Sequence, residues 1–259
     1  MTGQIRFDDG TLYERFMGQW SRLAGDVFID WLAAPPGLQW LDVGCGSGAF
    51  TELVVNRCAP QSIIGIDPSE GQLSYARQRL ESDVVQFRQG DAMAMQFPDA
   101  TFDIAVMPLV IFFVQDPARS VAEMTRVTRP GGQIAAYAWD MAGGGFPYAV
   151  LLAEMRNMGM VVPGPPSPEA SKLDRLVELW TAAGLAEIDT REIVVERTFA
   201  DFDDYWTTIL GSPSVGTSLR AMRELDAERL KSALRAHLPA DMFGRITCSA
   251  RANAVKGWR

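Results

Sequence analysis

The sequence predicts an α/β fold built on a doubly wound, mostly parallel sheet, and two observations carry this prediction. Short apolar runs alternate with helical segments along residues 38–140, at the spacing of consecutive β-α-β units. The runs stop at glycines and aspartates, as expected where parallel strands end beside a ligand. The chain has 259 residues, 47% of them hydrophobic and 22% charged, so it can form a sizeable core.

A helical region precedes the first strand. Apolar side chains recur every three or four residues over 11–32, which predicts one apolar helix face. Gly18 and Gly25 weaken a helix, so two helical pieces are expected. The segment ends before Pro35-Pro36-Gly37.

Five strands and three helices follow in alternation. The strands are short apolar runs that suit buried parallel pairing. They are predicted at 38–43, 62–66, 84–88, 102–107 and 133–139. The helices are predicted at 49–58, 70–80 and 117–127, and the last is stopped by Arg129-Pro130-Gly131-Gly132.

The pattern changes after Asp140. A short apolar helix is expected between Gly143–Gly145 and the proline-rich 163–168, and an amphipathic helix at 173–183. A strand at 192–199 follows, then helices over 201–238 with a break at 211–216, and a last strand at 246–255. We expect a single domain over 1–259. Its core at 38–140 binds a cofactor, 11–32 forms cap helices, and 141–183 and 201–240 are substrate-cap insertions.

Charge and composition limit the classes of partner. The formal net charge is −8, which opposes binding to nucleic-acid phosphates and anionic membranes. The single histidine, His237, and three scattered cysteines do not suit a metal site. The N-terminus lacks the features of a signal peptide, and no apolar run approaches the ~20 residues of a membrane span. We therefore expect a soluble cytoplasmic protein without metal.

Three strand ends carry residues that suit a nucleoside. The first strand runs into a glycine-rich turn between Asp42 and Gly48, where missing Cβ atoms let the backbone approach a ligand. A purely structural turn is the alternative. Asp67 lies about twenty residues further on, where a carboxylate can accept hydrogen bonds from ribose hydroxyls. Asp91 ends the third strand and could accept a hydrogen bond from the adenine amine. Each acid alone is more often a cap or loop residue, but the ordered set favours a nucleoside site.

The acid before the turn bears on the choice of cofactor. A dinucleotide pyrophosphate prefers a helix N-terminus without a nearby anion. Asp42 stands immediately before the loop and suits an ammonium group better than a phosphate. The glycine spacing is GxGxG rather than GxGxxG.

Residues 38–140 resemble the class I S-adenosylmethionine-dependent methyltransferases, most closely the small-molecule subgroup with the ubiquinone and menaquinone biosynthesis C-methyltransferases. The matching segments are Leu41–Gly48, Ile64–Ser69, Gln89–Ala92, Phe97–Asp103 and Glu123–Gly132. The resemblance implies S-adenosylmethionine as cofactor and a seven-stranded sheet with a reversed last strand. It makes 192–199 and 246–255 the last two strands.

The resemblance also implies roles for single residues. Loop glycines approach the methionyl part, Asp67 holds the ribose, and Asp91 with Ala92 borders the adenine. Met107 and Leu109 line the pocket near the methyl group. The cofactor-binding residues expected are Asp42, Gly44, Cys45, Gly46, Gly48, Asp67, Pro68, Ser69, Gly90, Asp91, Ala92, Met107, Leu109, Tyr13, Trp20, Ser21 and Arg22. The last four lie in the N-terminal cap, where Ser21 or Arg22 could bind the methionyl carboxylate.

The chain departs from these relatives after the fourth strand. Many of them carry Leu-His-His where this sequence has Ile111-Phe112-Phe113, so a possible imidazole base is missing. Met107–Val110 also lacks the amide or carboxylate with which base-methylating enzymes hold an amine. His237 is expected on the surface, and no catalytic residue is assigned. The expected function is methyl transfer to a small apolar or aromatic acceptor. The alternatives are a catalytically silent S-adenosylmethionine-binding protein and, less favoured, a nicotinamide-dependent oxidoreductase.

Overall fold

The computed structural model describes residues 14–212 and 214–259. The described chain forms a seven-stranded sheet with the order β3-β2-β1-β4-β5-β7-β6. The strands are β1 Gln39–Val43, β2 Ser62–Asp67, β3 Val85–Gln89, β4 Phe102–Pro108, β5 Thr128–Trp139, β6 Ala186–Phe199 and β7 Ile246–Trp258. β7 lies antiparallel between β5 and β6, and the pairings among β1 to β5 are parallel. The predicted fold class and the reversed last strand are confirmed.

Helices pack around the sheet. They are α1 Gln19–Leu32, α2 Ala49–Cys58, α3 Glu70–Arg79, α4 Pro117–Val127, α5 Ala149–Asn157, α6 Leu173–Ala182, α7 Phe202–Ile209, α8 Gly216–Arg220 and α9 Glu224–His237. A π-helical turn at Glu14–Gly18 leads into α1. Among the described residues, no helix has both the length and the apolar character to cross a bilayer.

The centre of the sheet forms the core. Four of the five β1 residues and six of the seven β4 residues are buried, because helices cover both faces. Strand pairing also aligns the carboxyl ends. Asp42 of β1 pairs with Gly65 of β2 and with Val106 of β4. The residues that follow these three strands therefore meet at one edge of the sheet.

The N-terminal helix differs from its predicted form at Gly25. The chain changes from π-helix to α-helix at Gly18, but α1 continues through Gly25 without a break. A Cβ at Gly25 would lie 3.4 Å from Phe50 and from the Tyr137 hydroxyl oxygen. The glycine therefore serves close packing of α1 against α2 and β5.

Two strands begin earlier than predicted. β5 starts at Thr128, so the segment Arg129–Gly132 lies inside the strand, beside an irregular register with β4. The Gly131 amide donates to the Arg259 carbonyl at 2.8 Å, which ties this glycine segment to the end of β7. β6 starts at Ala186, and its first seven residues are mostly exposed.

Candidate functional site

A large cleft lies at the sheet edge where β1, β2 and β4 end. Its volume is about 1280 Å³. One side is formed by the glycine loop after β1 and by the ends of β2 and β3. The other side is formed by residues after β4 and by the segment Gly164–Pro166. The cleft therefore stands where ligands bind in open α/β sheets.

The glycine loop turns back onto β2. The amides of Gly44 and Cys45 both donate to the Ile66 carbonyl, at 2.8 and 3.0 Å. Gly44 has φ +76°, and a Cβ there would lie 2.5 Å from Val110, so a larger residue does not fit. Gly46 has φ +50°, and a Cβ there would lie 3.9 Å from its nearest neighbour, Gln72. Gly46 thus presents open backbone to the cleft.

Asp67 is fixed at the end of β2 by two backbone amides. Its Oδ2 accepts from Gly46 at 3.0 Å, and its Oδ1 accepts from Ser69 at 2.9 Å. Burial raises the pKa of this carboxyl, and the two amide hydrogen bonds partly offset that effect. Each carboxylate oxygen can accept a further hydrogen bond from a ligand.

Asp42 is the most buried charge-bearing group of the cleft. Its exposed fraction is 0%. The Thr51 hydroxyl donates to Oδ2 at 2.6 Å, whereas Oδ1 has no hydrogen-bond partner. Burial raises the pKa of Asp42 to about 7, the hydrogen bond from Thr51 opposes this shift, and the nearby Asp67 adds to it. A buried carboxyl oxygen without a partner indicates a place for a hydrogen-bond donor.

The segment after β3 forms the rim beside Asp67. The Gly90 amide donates to the Asp67 carbonyl at 3.1 Å. The exposed Asp91 accepts from the Met93 amide at 2.8 Å. Gly90, Asp91, Ala92 and Met93 all line the cleft. A flat polar group can reach their backbone there.

The opposite wall is mostly apolar. Leu109 has φ +60°, a strained conformation for a leucine, and its amide donates to the Tyr137 carbonyl at 2.7 Å. Val110 and Phe113 follow it on this wall, and 37% of Phe113 is exposed. The polar lining groups on this side are neutral, including Gln115.

A proline-containing strap, Gly164–Ser167, closes the apolar wall. Its residues up to Pro166 line the cleft. The Ser167 amide donates to the Phe112 carbonyl at 3.0 Å, and its hydroxyl donates to the Val114 carbonyl at 2.8 Å. Ser167 therefore ties the strap to the turn that carries Phe113.

The charge of the cleft has one sign. The residues of the described chain that line it include Asp42, Asp67 and Asp91 but no lysine, arginine or histidine. This lining attracts cations and opposes a ligand with several phosphates.

Twelve of the expected site residues line the cleft. They are Ser21, Asp42, Gly44, Cys45, Gly46, Asp67, Pro68, Ser69, Gly90, Asp91, Ala92 and Leu109. The structure thus brings together the ends of the first four strands and one residue of α1.

Four expected residues do not line it, and Tyr13 lies outside the described residues. Trp20 is fully buried and donates from Nε1 to the Tyr148 hydroxyl at 3.1 Å. Met107 is fully buried within β4. A Cβ at Gly48 would lie 3.0 Å from Phe87, so this glycine serves the packing of α2 rather than the cleft wall. Arg22 is half-buried on α1 and lies off the lining.

Other lining residues escaped the sequence reasoning. Tyr137 lies near the end of β5, a fifth strand end to which the same rule could have been applied. Gln72 lies on α3 one turn after Asp67, but nothing in its local sequence marks it. The sequence marks the proline-rich strap only as a boundary. His237 is exposed on α9, in agreement with its expected surface position, and its Nε2 lies 3.3 Å from Glu154 Oε1.

The fold and the cleft together define a class. A doubly wound seven-stranded sheet with one reversed strand, a glycine loop after β1 and an acid at the end of β2 are the features of a class I methyltransferase fold.

Known proteins agree with this class. Residues 41–136 match the family described as methyltransferase domain. The chain is 36% identical over 121 residues to demethylmenaquinone methyltransferase of Symbiobacterium thermophilum, covering 45% of this chain and 48% of that protein. It is 33% identical over 123 residues to malonyl-[acyl-carrier protein] O-methyltransferase of Pectobacterium atrosepticum, covering 48% and 47%. These alignments span about half of each relative.

A solved structure extends the likeness of fold. Phosphoethanolamine N-methyltransferase 2 of Haemonchus contortus, in complex with S-adenosyl-L-methionine, superposes with a TM-score of 0.59 at 16% identity. The superposition covers 96% of this chain and 56% of that one. Residues 41–136 therefore match a methyltransferase domain, and the chain shares the fold of this solved methyltransferase.

Proposed function

We propose that this protein transfers a methyl group from S-adenosylmethionine to a small apolar or aromatic acceptor. The observation that carries the proposal is the Asp67 carboxylate, fixed by the Gly46 and Ser69 amides beside an open glycine loop. This arrangement offers a rigid acceptor to a ribose at the place where the fold binds its ligands. The relatives that share this segment are named as methyltransferases.

The cleft residues fit the cofactor by chemistry. Asp67 would accept hydrogen bonds from the ribose hydroxyls, and the segment Gly90–Ala92 would border the adenine. The Asp42 Oδ1, buried and without a partner, fits the ammonium of the methionyl part. Ser21 lines the cleft on α1 and would meet the methionyl carboxylate. The bound cofactor would supply an activated methyl group with a neutral leaving group.

The chain's own residues would contribute alignment and exclusion of water. Positioning two reactants can lower a barrier by about 7–11 kcal/mol. The Leu109 amide, hydrogen-bonded to Tyr137, and the strap, hydrogen-bonded through Ser167, hold the apolar wall of the cleft in position. The carboxylates of the described lining are assigned to the cofactor in this proposal, and no lining residue there is a histidine or lysine that could act as a base. Proximity and orientation are therefore the main catalytic contribution proposed.

The proposed acceptor class follows from the second wall. Val110, Phe113 and Pro165 offer apolar surface, and the neighbouring polar groups are neutral. A flat apolar molecule would be bound by stacking and burial rather than by ion pairs. One relative is named for demethylmenaquinone, and a quinol of this kind is therefore a candidate acceptor. The net charge of −8 favours a small-molecule partner over nucleic acid or an anionic membrane.

A catalytically silent S-adenosylmethionine-binding protein is the second candidate. One observation favours it, namely the apolar Ile111–Phe113 turn, which offers no imidazole base beside the cleft. Release of S-adenosylhomocysteine with quinols, phenols, small amines or carboxylic acids would favour the enzyme. A nicotinamide-dependent oxidoreductase is disfavoured by the three carboxylates of the cleft.

Titration calorimetry tests the cofactor. We expect S-adenosylmethionine and S-adenosylhomocysteine to bind, and Asp67→Ala to weaken both by more than tenfold. Asp83→Ala is the matched control, because Asp83 is exposed just before β3, at the opposite edge of the sheet. No binding of either ligand at millimolar concentration would overturn the proposal. Equal affinities of the Asp67→Ala and Asp83→Ala variants would show that the ribose lies elsewhere.

A further inference from the structure

We propose that Asp42 holds a proton in the empty cleft and releases it when the cationic cofactor binds, so that cofactor affinity depends on pH near neutrality. This inference rests on the proposed function and concerns the same cleft. It assigns to Asp42 a role in proton exchange in addition to a contact with the ligand.

The geometry of Asp42 disfavours a bare carboxylate. The side chain is completely buried, Oδ2 has the Thr51 hydroxyl at 2.6 Å, and Oδ1 has no partner. A buried ionised carboxylate that lacks a cation is expensive, and such groups commonly become neutral instead. A proton on the carboxyl removes this cost while the cleft is empty.

The groups that face Asp42 increase this preference. Asp67 approaches from the end of β2 and is a second carboxyl with a raised pKa. The Cys45 thiol of the glycine loop is buried, and its pKa is raised well above the usual range, so it stays neutral. Arg77 on α3 is a charge of opposite sign that acts on Cys45 of this loop, and it is exposed and paired with Glu70. From β4 and β5 the cleft receives neutral side chains.

Cofactor binding would favour the ionised form of Asp42 over the protonated form. An ammonium near Oδ1 stabilises the carboxylate, which lowers the pKa of Asp42 in the complex. The protonated carboxyl then becomes a carboxylate paired with the ammonium, and its proton passes to the buffer. Since the complex holds fewer protons than the free protein, affinity rises with pH up to about 7, the pKa of free Asp42, and then levels off.

Titration calorimetry in two buffers of different ionisation enthalpy measures the number of protons released when the ligand binds. At pH 6.5 a group with a pKa of about 7 is about three-quarters protonated, so S-adenosylhomocysteine binding should release about 0.7 protons. The ligand's own amine lies beside a carboxylate and titrates well above this pH, so it is already charged and contributes little. Asp42→Asn should abolish the release, whereas Asp67→Asn should retain most of it.

A second variant covers the case in which Asp42→Asn does not fold. The Thr51 hydroxyl opposes the raised pKa of Asp42, so Thr51→Val should increase proton release at pH 7.5 above that of the unmodified protein. S-adenosylhomocysteine binding without proton release at pH 6.5 would overturn the inference and leave the proposed function standing. Release that persists in Asp42→Asn, or that is unchanged at pH 7.5 in Thr51→Val, would also overturn it. Absence of binding would instead contradict the proposed function.

Discussion

Replacing Gly44 by alanine would place a side chain at the most crowded position of the glycine loop. The residue has φ +76°, and the new Cβ would stand 2.5 Å from Val110 Cγ2 and 2.7 Å from Val110 Cγ1. Such distances are far inside van der Waals contact, so the loop or the β4 wall must move. The substitution therefore combines backbone strain with overpacking.

The two effects can be separated with Gly46. Left-handed backbone costs a residue with a Cβ about 1–2 kcal/mol, and overpacking typically costs about 1–3 kcal/mol more. Gly44→Ala should then lower the free energy of unfolding by about 2–5 kcal/mol. Gly46→Ala has φ +50° and no neighbour closer than 3.9 Å, so it should lose only about 1–2 kcal/mol.

Urea unfolding of three variants provides the assay. Adding Val110→Ala to Gly44→Ala removes both Cγ atoms and leaves only Cβ, at 3.1 Å. The double variant should regain most of the overpacking loss, and the urea slopes should agree. Equal losses for Gly44→Ala and Gly46→Ala, or no recovery in the double variant, would refute the steric reasoning.

Two further predictions concern hydrogen bonds outside the cleft lining. Tyr148→Phe should lower the free energy of unfolding by about 1–3 kcal/mol, because Trp20 Nε1 and the Phe16 carbonyl lose the buried hydroxyl that they share; a thermal or urea midpoint equal to that of the unmodified protein would contradict this. Glu123→Gln should cost about 1–3 kcal/mol at pH 7, because the carboxylate accepts hydrogen bonds from Arg126, which lower the pKa of Glu123. A lowered pKa stabilises the fold above the ordinary value of about 4.3, and this contribution fades as the pH falls through the folded value. The cost of Glu123→Gln should therefore shrink in acid, and a cost that does not change between pH 7 and pH 3 would contradict the assignment.

The central strands could be predicted because they are buried on both faces. Each of β1, β2 and β4 forms a short apolar run that stops at turn residues, and the helices between them lie within one or two residues of their predicted bounds. The sequence predicts β6 from residue 192 only, whereas the strand begins at Ala186. Of its first seven residues only Ala186 and Ile188 are apolar, and the register with β7 is irregular between Ala186 and Asp189, so the apolar alternation there is too short to indicate a strand.

The site residues that follow strands could be predicted, because the strand ends fix where they lie. Site residues whose position depends on helix rotation or on tertiary packing were missed. Asp42, Asp67 and Asp91 follow strands and reach the cleft as expected. Trp20 and Ser21 are neighbours on α1, but about 100° of helix rotation separates them, and only Ser21 faces the cleft. The sequence shows the apolar face of α1 without showing where the cleft lies relative to it.

The sequence also does not predict the strained backbone of Leu109 in the apolar wall. Leucine rarely takes a positive φ, so nothing in Met107–Val110 predicts the Leu109 conformation. The hydrogen bonds of Ser167 to two carbonyls of the Phe113 turn join segments more than fifty residues apart. Contacts of this kind arise from the folded chain as a whole.

A crystal structure of the protein with S-adenosylhomocysteine tests the central claim most directly. The account predicts both ribose hydroxyls within hydrogen-bond distance of Asp67 and the ammonium next to Asp42 Oδ1. It also predicts that the homocysteine sulfur faces the wall of Leu109 and Phe113. A ligand bound outside this cleft, or bound in it with the ribose away from Asp67, would contradict the account.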